Sequence, residues 1–500
     1  MLILNASQIR EWDEYTIRTA PIPSIDLMER AATACCEWLL SNGYQSRSFS
    51  IFCAKGNNGG DGLAIARLFS NRELQVTVNI LEFGHKGTAD FQANLARLHE
   101  TPVEIRFISS SEAIPPVPEG DIILDALLGS GLNRPLEGLT AELVTHLNNS
   151  GNEIVAIDIP SGLSADQSSK GNIVVKASHT LSFQCFKPAF LVAENEEAIG
   201  KLHILDIGLL PDFADTLSLE YRLSDHHSAK RLFRPRKKFA HKGNFGHALL
   251  IAGSFGKIGA ALLSAKACIR AGSGLLSIHT PRCGYGILQS QVPEAMAIAD
   301  KEEELNTALQ EDLSPFNAIG VGPGIGVSPE TAKMLRDLLQ RRRLPVTFDA
   351  DALNLLAANQ QWLDLLPADS ILTPHPKEFD RLFGASPNDF ERMKLASQKA
   401  KELSLVIVLK GHYTLIAGPS GEKHFNITGN AGMAKGGSGD ALTGIITALM
   451  AQGYPSVDAA LLGVYLHGKA GDIAALLHSQ ESLTASDIID SLGEAFLSLY

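Results

Sequence analysis

The chain has 500 residues, more than one hydrophobic core usually holds, so two or more domains are expected. With 45% hydrophobic residues, 20% charged residues and 44 glycines, the composition is that of a globular protein rich in strand–helix turns. The net charge of −12, from 43 basic and 55 acidic side chains, speaks against a surface that coats nucleic acid, yet backbone amides can still bind an anion locally. Six cysteines (Cys35, Cys36, Cys53, Cys185, Cys268 and Cys283) lie mostly in apolar runs without a CxxC pair. That pattern predicts a reducing compartment, the cytoplasm, with neither disulfides nor structural zinc. The N-terminus turns polar too soon for a signal peptide, and no apolar run approaches the roughly 20 residues of a membrane span, so no membrane partner is expected.

Residues 7–42 read as two helices broken at Pro21 and Pro23, with Ile9, Trp12, Tyr15 and Ile17 near helical spacing and Ser24 placed to cap the second. They could form an outer packing layer or a subunit face. From residue 49 the rhythm is strand then helix. Expected strands at 49–54, 76–81, 121–128, 154–159, 179–183 and 202–207 indicate a parallel sheet wound on both faces, with ligands beyond the carboxyl ends. Three motifs stand there: Lys55–Gly62 (KGNNGGDG), Asp125–Pro135 (DALLGSGLNRP) and Asp158–Gly162 (DIPSG). Each alone is ordinary turn composition. Converging on one pocket, they offer glycines for close approach, Arg134 as an anion clamp, and Asn, Asp and Ser oxygens suited to a hard cation.

A domain break is expected between about 212 and 228, giving domains 1–215 and 225–500. His226-His227 reads as solvated linker, since no further ligands follow at metal spacing, and the basic run from Arg231 to Lys238 reads as a solvated face. A second α/β sheet follows, with expected strands at 247–252, 274–279, 317–321, 345–348, 370–373 and 405–409. Nearly every one feeds a polar or glycine-rich turn: Gly253–Ala261, Gly322–Gly326, Asp349–Leu353, Pro374–Phe379 and Lys410–Thr414. No GxxxxGK[ST] loop occurs, so Lys410-Gly411-His412-Tyr413-Thr414 is the candidate cradle for nucleotide phosphates. His375, between two prolines, suits substrate positioning or a structural turn equally. Asp349 and Asp351 could cap a helix or face a magnesium-bound phosphate, and capping is favoured for Asp351. The strongest local signal is Gly436-Gly437-Ser438-Gly439-Asp440, a small-residue turn opening into the apolar helix pattern Leu442, Ile445, Ile446, Leu449. Such a turn aims unpaired amides and a helix dipole at one point, an anion site. Asp440 could be the helix cap, but four small residues before it favour a base that takes a proton as a phosphoryl group arrives. Residues 456–478 read as a packing helix.

These motifs, in this order and over nearly the full length, resemble the bifunctional NAD(P)H-hydrate repair enzyme family. KGNNGGDG, DALLGSGLNRP and DIPSG resemble its epimerase. GSFGKIGAA (253–261), GPGIG (322–326), TPHPKEF (373–379), KGHYT (410–414) and NAGMAKGGSGD (430–440) resemble its ADP-dependent dehydratase. The resemblance implies two three-layer αβα domains, Rossmann-like then ribokinase-like. It implies epimerisation of R- and S-NAD(P)HX, and ADP-dependent dehydration of the S form to NAD(P)H with AMP and phosphate as products. Its partners would be the small molecules NADHX, NADPHX and ADP, in a homo-oligomer without nucleic acid.

Carried over by motif, Asn57, Asn58, Gly59, Gly60, Asp61, Gly129, Ser130, Gly131, Leu132, Asn133, Arg134, Pro135 and Asp158 would hold the hydrate in the first domain. Asn58, Asp125 and Ser161 would bind K+. In the second domain Ala260 or Ala261, Gly324, His375 and Asp440 would contact the hydrate. Lys410, Gly411, His412, Tyr413, Thr414 and Gly439 would hold ADP with Mg2+. Asp440 and Asp158 are the expected acid/base groups. Lys377, and Ala189 in KPAF (187–190), depart from the family's usual glycines. The alternative is a ribokinase-like small-alcohol kinase carrying a non-catalytic N-terminal binding domain.

Overall fold

The computed structural model describes all 500 residues, which divide into two compact units, Met1–Leu219 with Asn388–Phe390 and Glu220–Pro387 with Glu391–Tyr500. The first holds seven strands: β1 (Phe49–Cys53), β2 (Val76–Leu81), β3 (Glu104–Ile108), β4 (Ile122–Ala126), β5 (Ile154–Ile157), β6 (His179–Phe183) and β7 (Lys201–Leu205). Their order is β3-β2-β1-β4-β5-β6-β7, parallel throughout. The period of two in β1 sends Phe49, Ile51 and Cys53 into one core and Phe52 into another on the opposite face. The chain winds outward from β1 to β3 and returns beside β1 as β4. The crevice at the carboxyl ends of β1 and β4 is therefore a topological switch point.

The second unit holds β8 (Arg222–Ser224), β9 (His247–Ile251), β10 (Leu275–Thr280), β11 (Met296–Ala299), β12 (Ala318–Val321), β13 (Val346–Phe348), β14 (Ile371–Leu372), β15 (Val406–Leu409), β16 (Thr414–Ala417) and β17 (Lys423–Asn426). The ten-stranded order is β11-β10-β9-β12-β13-β14-β15-β16-β17-β8, with the switch point between β9 and β12. The sheet is parallel from β11 to β15, β16 pairs antiparallel with both neighbours, and β8 adds a parallel edge to β17. Leu249 and Ile251 of β9 enter one core, Ala248 and Leu250 the other.

Several expectations are corrected. His226 and His227 are not linker: they open the helix His226–Leu232, capped by Asp225, and His226 Nδ1 lies 3.0 Å from the Tyr465 hydroxyl. The basic run is not simply solvated, because Arg234 and Arg236 donate to the Gly453 and Gly272 carbonyls and lie over the Tyr454 and Phe245 rings. Ser24 begins its helix without capping it and donates to Asp90 Oδ1 at 2.9 Å. Ser456–Ser482 is long and apolar enough by length and composition to cross a membrane, contrary to the expectation that no run is, but 67% of its most apolar window is buried inside the protein.

Candidate functional site

In the first unit the loops after β1, β4 and β5 meet at the switch point. Close approach is possible because two residues lack a side chain. A Cβ at Gly59 would lie 1.7 Å from the Ala54 carbonyl oxygen, and one at Gly129 would lie 2.9 Å from Asp158 Oδ2. The gap at Gly129 lets the Ser130 amide donate to Asp158 Oδ2 at 2.9 Å. Asp158 itself has φ of +70°, a conformation that costs about 1–3 kcal/mol for a residue with a side chain and that clusters at active sites. Its Oδ1 lies 2.9 Å from the ammonium of Lys187, whose side chain is 0% exposed.

Neither Lys187 nor Asp13 was among the expected site residues. Lys187 sits in KPAF, noted in the sequence only for its alanine. Asp13 lies on the helix Ala6–Thr19, which runs beside the glycine loop: Arg10, one turn earlier, has a guanidinium nitrogen 3.8 Å from where a Gly131 Cβ would stand. Burial, then the charge of Asp158, push the Asp13 carboxyl up to about 7, and the same two causes hold the buried Asp61 carboxyl well above the ordinary range. The Lys187 ammonium touches Asp158, and its charge pulls the Asp13 carboxyl the other way.

Behind this pair, Asp125 is fully buried and accepts from the Ser161 hydroxyl (2.6 Å), the Ser161 amide (2.7 Å) and the Leu127 amide (3.2 Å). Burial outweighs those bonds and raises its carboxyl to about 6. Asn58 is buried with neither its oxygen nor its nitrogen partnered. Of the expected residues, Asn57, Gly131, Asn133, Arg134 and Pro135 are exposed, while Gly60 is buried, a Cβ there meeting Met28 at 2.8 Å.

In the second unit a cleft of ≈ 450 Å³ opens at the switch point. Gly256, Lys257, Gly259 and Ala260 line it after β9, Gly324 after β12, Asp351 after β13, and Gly436, Gly437 and Asp440 from the anion turn. The helix Ser438–Ala451 is capped by Gly437 at φ +95°, without a side-chain cap, so Asp440 is free of the capping role. Burial, then the charge of Asp349, raise the Asp440 carboxyl to about 6, with Lys410 pulling the other way. Lys410 pairs with Asp349 Oδ1 at 2.8 Å, and Asp349 Oδ2 accepts from the Thr443 hydroxyl at 2.7 Å. Gly439 lies over this pair, where a Cβ would stand 3.4 Å from Lys410 Nζ. His467, buried and pushed down to about 4 chiefly by burial, touches the Ser438 hydroxyl at 3.2 Å.

The structure corrects the expectation for Asp351 and shows the local partners of three other expected residues. Asp351 does not cap its helix, whose N-cap is Ala350; it accepts from the Gly326 amide (2.9 Å) and pairs with Lys257 (3.2 Å) on the cleft wall. Ala261 is fully buried beneath the cleft, leaving Ala260 as the lining residue. The Thr414 hydroxyl closes its own turn onto Gly411, so it does not stand open to a phosphate, whereas His412 is exposed. His375 caps the helix Pro376–Phe383 through Nδ1, which accepts from the Lys377 and Glu378 amides, and it stands outside the residues lining the cleft. Lys257 and the cleft-wall position of Asp351 carried no signal in sequence beyond adjacency to a glycine turn.

The model of the NAD(P)H-hydrate dehydratase family matches residues 248–493, and that of the YjeF-related protein N-terminus matches residues 24–189. A bifunctional NAD(P)H-hydrate repair enzyme of Moorella thermoacetica is 34% identical, covering 98% of this chain and 96% of the relative. The repair enzyme of the same description from Escherichia coli is 33% identical over 97% of this chain and 92% of its own length. A solved ribokinase-like superfamily protein of Enterococcus faecalis superposes with a TM-score of 0.50 at 27% identity, covering 57% of this chain and 98% of that one. Two switch-point sites on two αβα units, with both family models and full-length relatives in agreement, place the chain in the family of bifunctional NAD(P)H-hydrate repair enzymes.

Proposed function

We propose that residues 1–215 interconvert the R and S epimers of NADHX and NADPHX, and that residues 225–500 dehydrate the S epimer with ADP. The observation that carries the second reading is the Gly436–Asp440 turn, where a helix N-terminus and a carboxyl raised to about 6 face one cleft. Asp440 takes the proton of the ring hydroxyl as its oxygen attacks the terminal phosphorus of ADP and AMP departs. The amides of Gly436–Gly439 stabilise charge on the transferring group. Phosphate then leaves with a ring proton, restoring the double bond. Lys410, beside the anion turn, and Gly439 within it fit the nucleotide phosphates. Magnesium bound to the nucleotide phosphates would neutralise part of their charge.

In the first unit Asp158 is the acid/base group. Asn58, Asp125 and Ser161 suit K+: Asn58 has a buried, unpartnered carboxamide oxygen, and Asp125 a buried carboxyl that a cation would stabilise in its charged form. Its contribution would be to fix the loops that carry the hydrate site. The test is to supply mixed NADHX epimers with ADP and magnesium and follow NADH absorbance. Complete recovery is expected. Recovery of the S fraction alone would overturn the epimerase reading, and no recovery the dehydratase reading. Asp158→Ala should leave S-epimer dehydration intact while R-NADHX accumulates, as chromatography of the residual hydrate would show.

A further inference from the structure

We propose that Lys187 is a positioning residue for epimerisation, fixing the Asp158 carboxylate at the angle from which it exchanges a proton with substrate. This rests on the epimerase reading of the first unit. An ammonium has three donors. Lys187 Nζ lies 2.9 Å from Asp158 Oδ1 and 2.5 Å from the Ser182 hydroxyl, and its remaining side faces the Phe190 ring with the centroid at 5.3 Å. The Lys187 side chain is 0% exposed against 14% for Asp158, so burial keeps the ammonium from a substrate. Lys187 therefore acts only through Asp158, which is the member of the pair that reaches the crevice.

The geometry around Asp158 is that of an aimed group. Lys187 holds one carboxylate oxygen and the Ser130 amide holds the other, from two different chain segments, while the backbone sits at φ +70°. The lysine is fixed in turn by Ser182 on β6 and by the turn Pro188–Leu191 that follows it. A support of this kind, locked at both ends, is what holds a reacting group to the sub-ångström placement that acid/base chemistry needs. A merely structural ion pair has no reason to leave its carboxylate at the mouth of a glycine-lined crevice at the switch point.

The test measures kcat and KM for epimerisation by the full-length protein, without ADP, by separating R- and S-NADHX. Lys187→Met should lower kcat roughly 100-fold and leave KM within about threefold. The double variant Lys187→Met/Asp158→Asn should lose no more than Asp158→Asn alone, because the lysine works through the aspartate. Ser182→Ala keeps both charges and loosens the lysine; it should lower kcat about 3–10-fold at unchanged KM. Additive losses, or a raised KM at unchanged kcat, overturn the proposal. If circular dichroism shows Lys187→Met unfolded, Ser182→Ala decides, and wild-type kcat in it overturns the proposal. A wild-type protein that leaves the epimers unmixed would instead overturn the epimerase reading.

Discussion

Replacing Asp440 by Asn separates the energetic cost of the proposed base from its chemistry. In the folded protein its carboxyl is raised from 3.8 to about 6, first by burial and then by Asp349. The unfolded chain therefore gives up this proton more readily than the folded one. Ionising Asp440 costs the fold nothing below about pH 4, costs progressively more as pH rises from about 4 to 6, and has its full cost above that. A rise of that size corresponds to an upper bound of about 3 kcal/mol, reduced by whatever solvent enters the cleft. Asp440→Asn should accordingly raise the melting midpoint of the second unit at pH 8 by several degrees and leave it nearly unchanged at pH 4. The same substitution should lower kcat of ADP-dependent dehydration by about 10²–10⁴-fold, the usual contribution of a positioned base. In the wild type, a base near 6 is about 90% ionised at pH 7 and about 10% at pH 5, so kcat should fall roughly tenfold between them. Calorimetry at the two pH values and an NADH-absorbance assay with S-NADHX read these effects. Full dehydration in the variant, or equal stabilisation at both pH values, would refute the assignment.

Two further predictions concern what holds the second unit together. A Cβ at Gly444 would stand 2.1 Å from the Ser264 carbonyl oxygen, where the helices Ser438–Ala451 and Ile258–Arg270 cross. Gly444→Ala gains about 1 kcal/mol of helix propensity but should lose about 2–3 kcal/mol to the clash, so the calorimetric midpoint should fall; a rise would show that the crossing is loose. Buried His279 lies 3.2 Å from Asp300 and 3.4 Å from Glu311. Burial works to lower its pKa, but the hydrogen bond to Asp300 and the two nearby carboxylates outweigh that and leave it raised. Its stabilisation is complete below the unfolded value near 6.5 and is lost as pH rises through the folded value. The midpoint should fall from pH 6 toward pH 9, and His279→Gln should flatten that slope; an unchanged slope would remove His279 as its source.

What the sequence disclosed and what it hid follow one physical divide. The motifs at the carboxyl ends of β1, β4, β5, β9 and β12 were legible because glycine and short polar residues bunch where backbone must approach backbone. The central strands were legible because burial on both faces makes them continuous apolar runs. The strands β3, β8, β11, β16 and β17 were not: in β3 only Ile108 is buried, β8 has three residues, and β16 and β17 form a short hairpin after the KGHYT turn. Side-chain partnerships were the least legible. Lys187 lies 29 positions beyond the aspartate it touches, and Asp13 lies on a helix that read as packing. Asp351 misread as a cap because an aspartate at a helix start looks the same whether it bonds its own turn or, as here, the Gly326 amide.

The edge pairing of β8 with β17 also sets a clock. Arg222 sits beside His424 and Ser224 beside Asn426. On a ribosome adding about 5–20 residues each second, the first of these strands emerges roughly 10–40 s before its partner exists. Meanwhile Leu223, 9% exposed in the finished sheet, lacks the strand beside which it pairs. The last edge of the second sheet can close only when synthesis is nearly over. Slowing translation between residues 224 and 424 would lengthen the interval in which the nascent chain offers that uncovered strand to chaperones or to other chains.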